Sequence, residues 1–444
     1  MASEKAQTSS HPEELKASHA RFRDILSDED MDALCKKYGV GDERERKLWV
    51  RPFFWLMVFS AGESGKRGSL LQLIGFFLGA IAILYPEKKI RSLTKSAVSK
   101  RLQHISWYFF RGVYNHLLAR YQRILGAQEL QYLGHFQEAF AVDGSVISLC
   151  KQMGKVFESV HQHKSSLRLN TKFSIQTGAV TKLQVSSGKR HDSRFSFVTQ
   201  CPNLLYLIDL GYWSFKLMKK IMDAGSFFVM RLKSSCDPLI VGVAQAQYTH
   251  LIGKRLSEIA DVLAQAAASG AIDLTVQLSA AQNPHWREPV RLVGLLHEQQ
   301  WRFYVTNIWE ATFSPQLIYE LYAQRWQVEI FFNIIKNVLN LENIMAKTKN
   351  GIMIEIYSAL IFHLFTLILI ALAAQQSPHS IHEFSFERAF KVVKGFLASH
   401  LHRFLQRSLA AVDEIFPVLI DIVARMGLAQ GPPKDFIFQS HFAS

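Results

Sequence analysis

The sequence predicts an α/β fold: a mixed-sheet core interrupted by a β-rich insertion, with helical regions before and after it. Three features of the 444-residue chain predict it. Residues 1–134 read as helices separated by polar loops. From about residue 138 the texture changes to short apolar runs of strand length. From residue 314 the helical periods return. A chain of this length exceeds one average domain and can bury a large core.

In the N-terminal region, residues 1–134, Pro12-Glu13-Glu14-Leu15 has the form of a helix start. Residues 47–62 are amphipathic to apolar, and a loop over 62–68 leads to an apolar helix over 70–85. Pro86 breaks that helix, and a new one opens near residue 92 with Thr94 as N-cap. Its early Ser, Lys and Arg residues suit entry into a DNA groove or an ordinary solvated face.

The first part of the core, residues 135–235, holds a run at 139–142 ending on Asp143, loosely alternating segments at 167–176 and 181–187, a run at 204–208 ending on Asp209, and a strand over 226–233. Three hairpin-like strands, a strand, a helix and another strand is the order of an RNase H-like sheet. The insertion, residues 236–308, contains a helix over 256–268 and runs at 272–279, 290–298 and 300–307, which read as a small antiparallel sheet. The core resumes over 309–375, and residues 376–444 form a helical tail.

Lys and Arg number 51 against 37 Asp and Glu, a formal net charge of +14 that suits a polyanion such as DNA. Cys35, Cys150, Cys201 and Cys236 are scattered, which predicts neither a disulfide framework nor a zinc site and fits a reducing cytosol. The N-terminus is polar and is not a secretory signal. Residues 356–374 are apolar over about the length of a membrane span. They include His363 and follow Glu355, and a helix buried in a large soluble domain has the same look. The buried helix is the expectation.

Asp143 and Asp209, each placed before a Gly turn, present acids at a sheet edge where ligands bind. Acids on adjacent strands can share hard divalent cations, although such residues also serve as turn formers. A third element adds to them. In residues 321–341, Tyr322, Arg325, Glu329 and Lys336 project within about 60° of one another along about 20 Å of a regular helix. A carboxylate on that face can complete a metal site while its phenolic and cationic neighbours hold phosphates. A solvated face with an Arg–Glu pair at i, i+4 gives the same pattern.

Tyr322-x2-Arg325-x3-Glu329-x6-Lys336 resembles the signature of the cut-and-paste transposases typified by insertion sequence four. Asp143-Gly144-Ser145 and Asp209-Leu210-Gly211-Tyr212 resemble that family's first and second acidic motifs, and Arg325-Trp326-Gln327-Val328-Glu329 its glutamate core. The resemblance covers residues 92–374. It implies Mg2+-dependent cleavage at transposon ends and strand transfer into target DNA, with Asp143, Asp209 and Glu329 holding two Mg2+ ions, which Mn2+ can replace. It also implies that Tyr322, Arg325 and Lys336 grip phosphates near the transposon end. The partners implied are double-stranded DNA, as terminal inverted repeats and target, and a second copy of the chain. Residues 380–427 are the expected dimer contact, with no membrane partner and a bacterial cytoplasmic, nucleoid-associated location. In relatives the insertion can carry a Trp that stacks on a flipped base, for which Trp286 is the candidate here, although a buried or loop Trp reads the same way.

Asp192, in Lys189-Arg190-His191-Asp192, is the rival for the second acid, but it closes no apolar run. His161 and His163 have near-metal spacing without supporting ligands and read as loop residues. Lys88, Lys89, Arg91, Lys95, Lys100 and Arg101 form a basic cluster suited to phosphates. Two other functions remain open at this point: a DNA-binding descendant that has lost catalysis, and a membrane protein anchored through residues 356–374.

Overall fold

The computed structural model describes residues 20–41, 49–61, 74–75, 78–79, 94–126, 135–149, 156–158, 165–189, 195–266, 270–278, 288–406 and 408–429. The helix start at Pro12 and most of the 70–85 segment lie outside them, as do Cys150, His161, His163, Asp192 and Trp286.

Among the described residues the N-terminal region gives the helices α1 (Asp28–Lys37), α2 (Val50–Ala61), α3 (Lys95–His104) and α4 (Trp107–Leu125). Ser27 and Asp30 close a reciprocal capping box on α1, and Thr94 caps α3 by accepting from Ala97 N at 3.2 Å. The corner between α3 and α4 is fastened from far along the chain. Asn350 Nδ2 donates to Leu102 O and Ile105 O at 2.7 and 2.8 Å, and its Oδ1 accepts from Trp107 N at 3.1 Å.

The sheet contains β1 (Glu138–Leu149), β2 (Ser165–Ser174), β3 (Val180–Ser187), β4 (Leu204–Ile208), β5 (Phe227–Arg231), β6 (Leu239–Val243), β7 (Ala271–Gln277), β8 (Pro289–His297) and β9 (Gln300–Thr306). Among the described residues it is one nine-stranded sheet in the order β3-β2-β1-β4-β5-β9-β8-β7-β6. The pairs β1–β4 and β4–β5 are parallel, and the second is crossed by helix α5 (Phe215–Asp223). All other pairs are antiparallel.

The expected small sheet of residues 236–308 is therefore continuous with the core. β9 pairs with β5 through Val229–Thr306, Met230–Val305 and Arg231–Tyr304. Thr306 Oγ1 donates to Phe228 O at 2.6 Å, and Asn307 Nδ2 to Ser226 O at 2.9 Å. The expected helix of this segment is a single 3-10 turn, Leu256–Glu258, followed by α6 (Ala260–Ala266).

The C-terminal half supplies α7 (Pro315–Ala323), α8 (Trp326–Asn333), α9 (Lys349–Gln376), α10 (Phe386–Phe404), α11 (Ala410–Asp413) and α12 (Phe416–Met426). Among the described residues α9 is the one helix long and apolar enough to cross a membrane, and that stretch is wholly buried within the fold by α2, α4, α10 and α12. The buried helix expected from the sequence is what forms. Its polar residues have internal roles. Glu355 accepts from Met345 N and Ala346 N at 3.1 and 2.7 Å, and His363 lies between the rings of Phe331 and Phe386, its pKa pushed down to about 3 by burial.

The outer helical regions meet on α9. Phe22 packs against Phe365, Phe404 and Phe416, while Arg23 pairs with Asp413 and Ser408 Oγ donates to Asp28 at 2.9 Å.

Candidate active site

The site forms where parallel pairing ends. β1 and β4 run in register to Val142 and Ile208, and Asp209 N extends the ladder with a bond to Val142 O at 3.2 Å. The next residue on β1 is Asp143, so the two acids are neighbours across adjacent strands. Asp143 does not end its strand, as the apolar run suggested. β1 continues to Leu149 because β2 pairs with it as far as Ser165. What ends at Asp143 is the parallel neighbour, which opens the sheet edge on that side.

Backbone amides orient both acids. Asp143 Oδ1 accepts from Gly144 N at 2.6 Å, and Asp209 Oδ2 accepts from Gly211 N at 3.0 Å as the cap of a 3-10 turn over Leu210–Tyr212. That turn is anchored by the buried Tyr212, whose hydroxyl donates to Asn170 Oδ1 on β2 at 2.8 Å.

Glu329 arrives on α8, which docks through Phe331 against Phe173 of β2, ring centroids 5.2 Å apart. The single regular helix expected over 321–341 is interrupted twice. Bonds from Arg325 N to Tyr322 O and from Val328 N to Arg325 O tighten the backbone between α7 and α8. After Asn333 the chain widens into a π-helical turn, Ile334–Val338, closed by Leu339 N to Ile334 O at 2.9 Å. The four motif residues therefore do not lie on one uniform helical face.

Arg325 gathers the acids. Its Nη1 lies 2.9 Å from Asp143 Oδ2 and 3.9 Å from Asp209 Oδ1, while its Nη2 donates to Glu329 Oε1 at 2.7 Å. Tyr322 is buried beside it, with the guanidinium carbon 5.6 Å from the ring centroid and Tyr304 packed against the ring. Burial pushes the Tyr322 hydroxyl up to about 12 against the pull of Arg325, so the phenol stays protonated. Asp143 is pushed up to about 6, first by burial and then by the charge of Asp209, with Glu329 adding to it; Gly144 N–H and Arg325 oppose them.

Lys336 is not brought to this cluster. It sits in the π turn, where burial lowers its pKa and Glu342 is the acid that acts on it. Lys95 and Lys100 are exposed on α3, whereas Arg101 is buried with Val98 and Leu102 and is not offered to solvent. A cation absent from the sequence expectations is Arg231. It is exposed at the end of β5 and acts electrostatically on Tyr322 and Tyr304. Its position at the end of a parallel strand, like Asp209, was the available signal.

The donor set suits a hard divalent cation: three carboxylates, two of them on adjoining strands, with burial and mutual repulsion that a cation would relieve. Among the described residues, however, no three acidic, His or Cys side chains close on a common point. Here the carboxylates converge on a guanidinium instead, which already supplies the countercharge.

Residues 134–365, more than half of the chain, match the family model described as a transposase DDE domain. The chain belongs to the DDE transposase family. The match contains Asp143, Asp209 and Glu329 and ends within α9. The transposase is 22% identical to the transposase for insertion sequence element IS1151 of Clostridium perfringens, over 64% of this chain and 68% of that one. It is 21% identical to the probable transposase for IS5377 of Geobacillus stearothermophilus, over 74% and 84%. It is also 21% identical to the transposase for IS231B of Bacillus thuringiensis subsp. berliner, over 89% and 88%. A cryo-EM structure of the piggyBac transposase synaptic complex with hairpin DNA aligns with a TM-score of 0.42 at 12% identity, over 86% of this chain and 80% of that one. The transposase is thus a DNA-cleaving and strand-transferring enzyme of DNA transposition, and membership of the family carries a general dependence on divalent metal.

Proposed function

We propose that the transposase cuts transposon ends at Asp143, Asp209 and Glu329, with these three side chains holding two Mg2+ ions. The observation that carries this reading is the convergence of three acids, from β1, the β4 terminus and α8, on the single cation Arg325. When bound, two such ions activate the attacking oxygen and stabilise the leaving oxygen of an in-line displacement. The chain's own groups prepare the site. Gly144 and Gly211 each hold one carboxylate oxygen of their Asp, which leaves the other oxygen on the side of Arg325. Arg325 offers a planar fork to a phosphate, and the protonated Tyr322 a hydroxyl. Lys336 grips the backbone further from the reacting bond. The sheet order β3-β2-β1-β4-β5 supports an RNase H-like core, with residues 236–308 as its β-rich insertion.

The reading includes the division into segments 1–134, 135–235, 236–308, 309–375 and 376–444, the outer two sharing one helical core. It also includes a homodimer in the DNA complex and a cytoplasmic, nucleoid-associated location. Val418 and Met426, exposed on α12, support a dimer contact in the C-terminal segment.

The decisive experiment compares Asp209→Asn with Asp192→Asn in Mg2+-dependent nicking of a plasmid carrying the element's own ends. Asp209→Asn is expected to lose at least about a thousandfold, and Asp192→Asn to stay within about tenfold. The reverse order would transfer the second acid to Asp192.

Lys95 and Lys100 give a separate expectation. Replacing both with Ala should flatten the log–log salt dependence of DNA binding by up to about two units. Arg101→Ala should leave that slope unchanged, because the side chain faces the core. An unchanged slope in the double variant would take α3 out of the DNA interface.

A further inference from the structure

Arg325 stands where a divalent cation would be needed. Its side chain is 14% exposed, and its two terminal nitrogens bond Asp143 and Glu329 at 2.9 and 2.7 Å, with Asp209 Oδ1 further off at 3.9 Å. If those acids are the cation ligands, a reading on which this inference rests, the arginine already holds oxygens that the ions must take. No closed three-acid cage forms among the described residues: Asp143 and Glu329 are hydrogen-bonded to the guanidinium, and Asp209 Oδ1 stands 3.9 Å from it.

We propose that Arg325 is a placeholder for the divalent cations, drawn off the carboxylates by a DNA phosphate, so that the site loads metal in step with DNA. The argument concerns what the guanidinium can exchange. Leaving the acids with no new partner would strand a poorly solvated charge and leave three carboxylates repelling one another. A phosphate presents two oxygens in the geometry of the same fork, so the exchange keeps the arginine paired. Arg231, exposed at the same sheet edge, adds positive charge that favours the approach of a phosphate. Before DNA arrives, the arginine competes with metal, which keeps the unengaged enzyme from assembling a cutting site. By linkage, DNA raises metal affinity by the factor with which metal raises DNA affinity.

The test reads metal binding without catalysis. Mn2+ is titrated into the full chain without DNA, and free Mn2+ is followed by electron paramagnetic resonance. Arg325→Ala is expected to bind Mn2+ at least about tenfold more tightly than the parent. Methylguanidinium should then weaken Mn2+ binding to that variant by refilling the vacated position, while methylammonium at equal ionic strength does not. The parent should respond to neither. Arg325→Gln, which keeps a polar side chain but ends two bonds short of the guanidinium nitrogens, carries the same measurements should Arg325→Ala fail to fold. Unchanged Mn2+ affinity, or equal effects of the two additives, overturns the placeholder role. Asp143→Asn in the Arg325→Ala background separates the two levels of the argument. Loss of Mn2+ binding there sustains the carboxylate site whatever Arg325 does, and unaffected binding removes that site and the placeholder with it.

Discussion

Glu329→Gln should reduce Mg2+-dependent nicking by at least about a thousandfold while DNA binding persists or tightens. The change keeps the size of the side chain and removes one charge. Gln can still accept from Arg325 Nη2 through its amide oxygen, so α8 keeps its local contact. The side chain is one-third exposed, Gln keeps the hydrogen bond to Arg325, and the charge removed is one that Asp143 repels, which offsets the weaker pairing. The melting temperature should therefore barely move, which separates loss of chemistry from loss of fold. DNA binding tightens if anything, because one negative charge leaves a surface that meets phosphates. The measurement is nicking at saturating protein alongside binding across a salt series. Nicking within tenfold of the parent would show that Glu329 serves the helix and not the reaction.

The second large effect concerns stability. Arg291 and Asp273, on β8 and β7, form a buried bidentate pair, with Nε 3.0 Å from Oδ1 and Nη2 2.7 Å from Oδ2. The same guanidinium donates to Ile308 O and Phe313 O at 3.0 and 2.7 Å. Those carbonyls belong to the segment that leads into α7 and then to Arg325, so one side chain ties the antiparallel half of the sheet to the chain that delivers the site. Arg291→Ala leaves Asp273 charged and unpaired in the interior, at a cost of about 3–5 kcal/mol. Arg291→Met combined with Asp273→Leu removes both charges and should recover much of that loss, the two carbonyls remaining without their donor. Urea denaturation of the full chain checks both. A loss below about 1 kcal/mol for Arg291→Ala would mean that the pair is solvated on opening and braces nothing.

Much of the site was legible because its signals are local. Asp143 and Asp209 follow apolar runs that have to be buried strands, and the spacing of Arg325 and Glu329 makes them i, i+4 neighbours. The continuation of β1 to Leu149 was not legible, since Gly144-Ser145 reads as a turn and only β2, some 20 residues later, holds it extended. β6 escaped notice for a related reason. It follows Pro238, contains Gly242 and lies at the sheet edge, with β7 on one side and, among the described residues, only a short bridge to Arg255 on the other. No Gly or Pro marks the breaks in residues 321–341, so the tightened turn and the π turn come from tertiary packing. The inward turn of Arg101 was readable, because Val98, Arg101 and Leu102 share one helical face. The meeting of Phe22 with Phe404 and Phe416 was not, for nothing local couples positions so far apart.

The burial of α9 has a consequence for biosynthesis. Two of the helices that cover it, α10 and α12, follow it in the chain, and α12 ends at Met426, fifty residues beyond Gln376. At about 5–20 residues per second, the ribosome leaves this apolar helix without its last cover for roughly 3–10 s. During that interval the nascent protein presents a face that chaperones bind and that other nascent chains can join. Ribosome-bound chains stalled between α9 and α12 should accordingly recruit chaperone more strongly than chains stalled before α9 or released at full length.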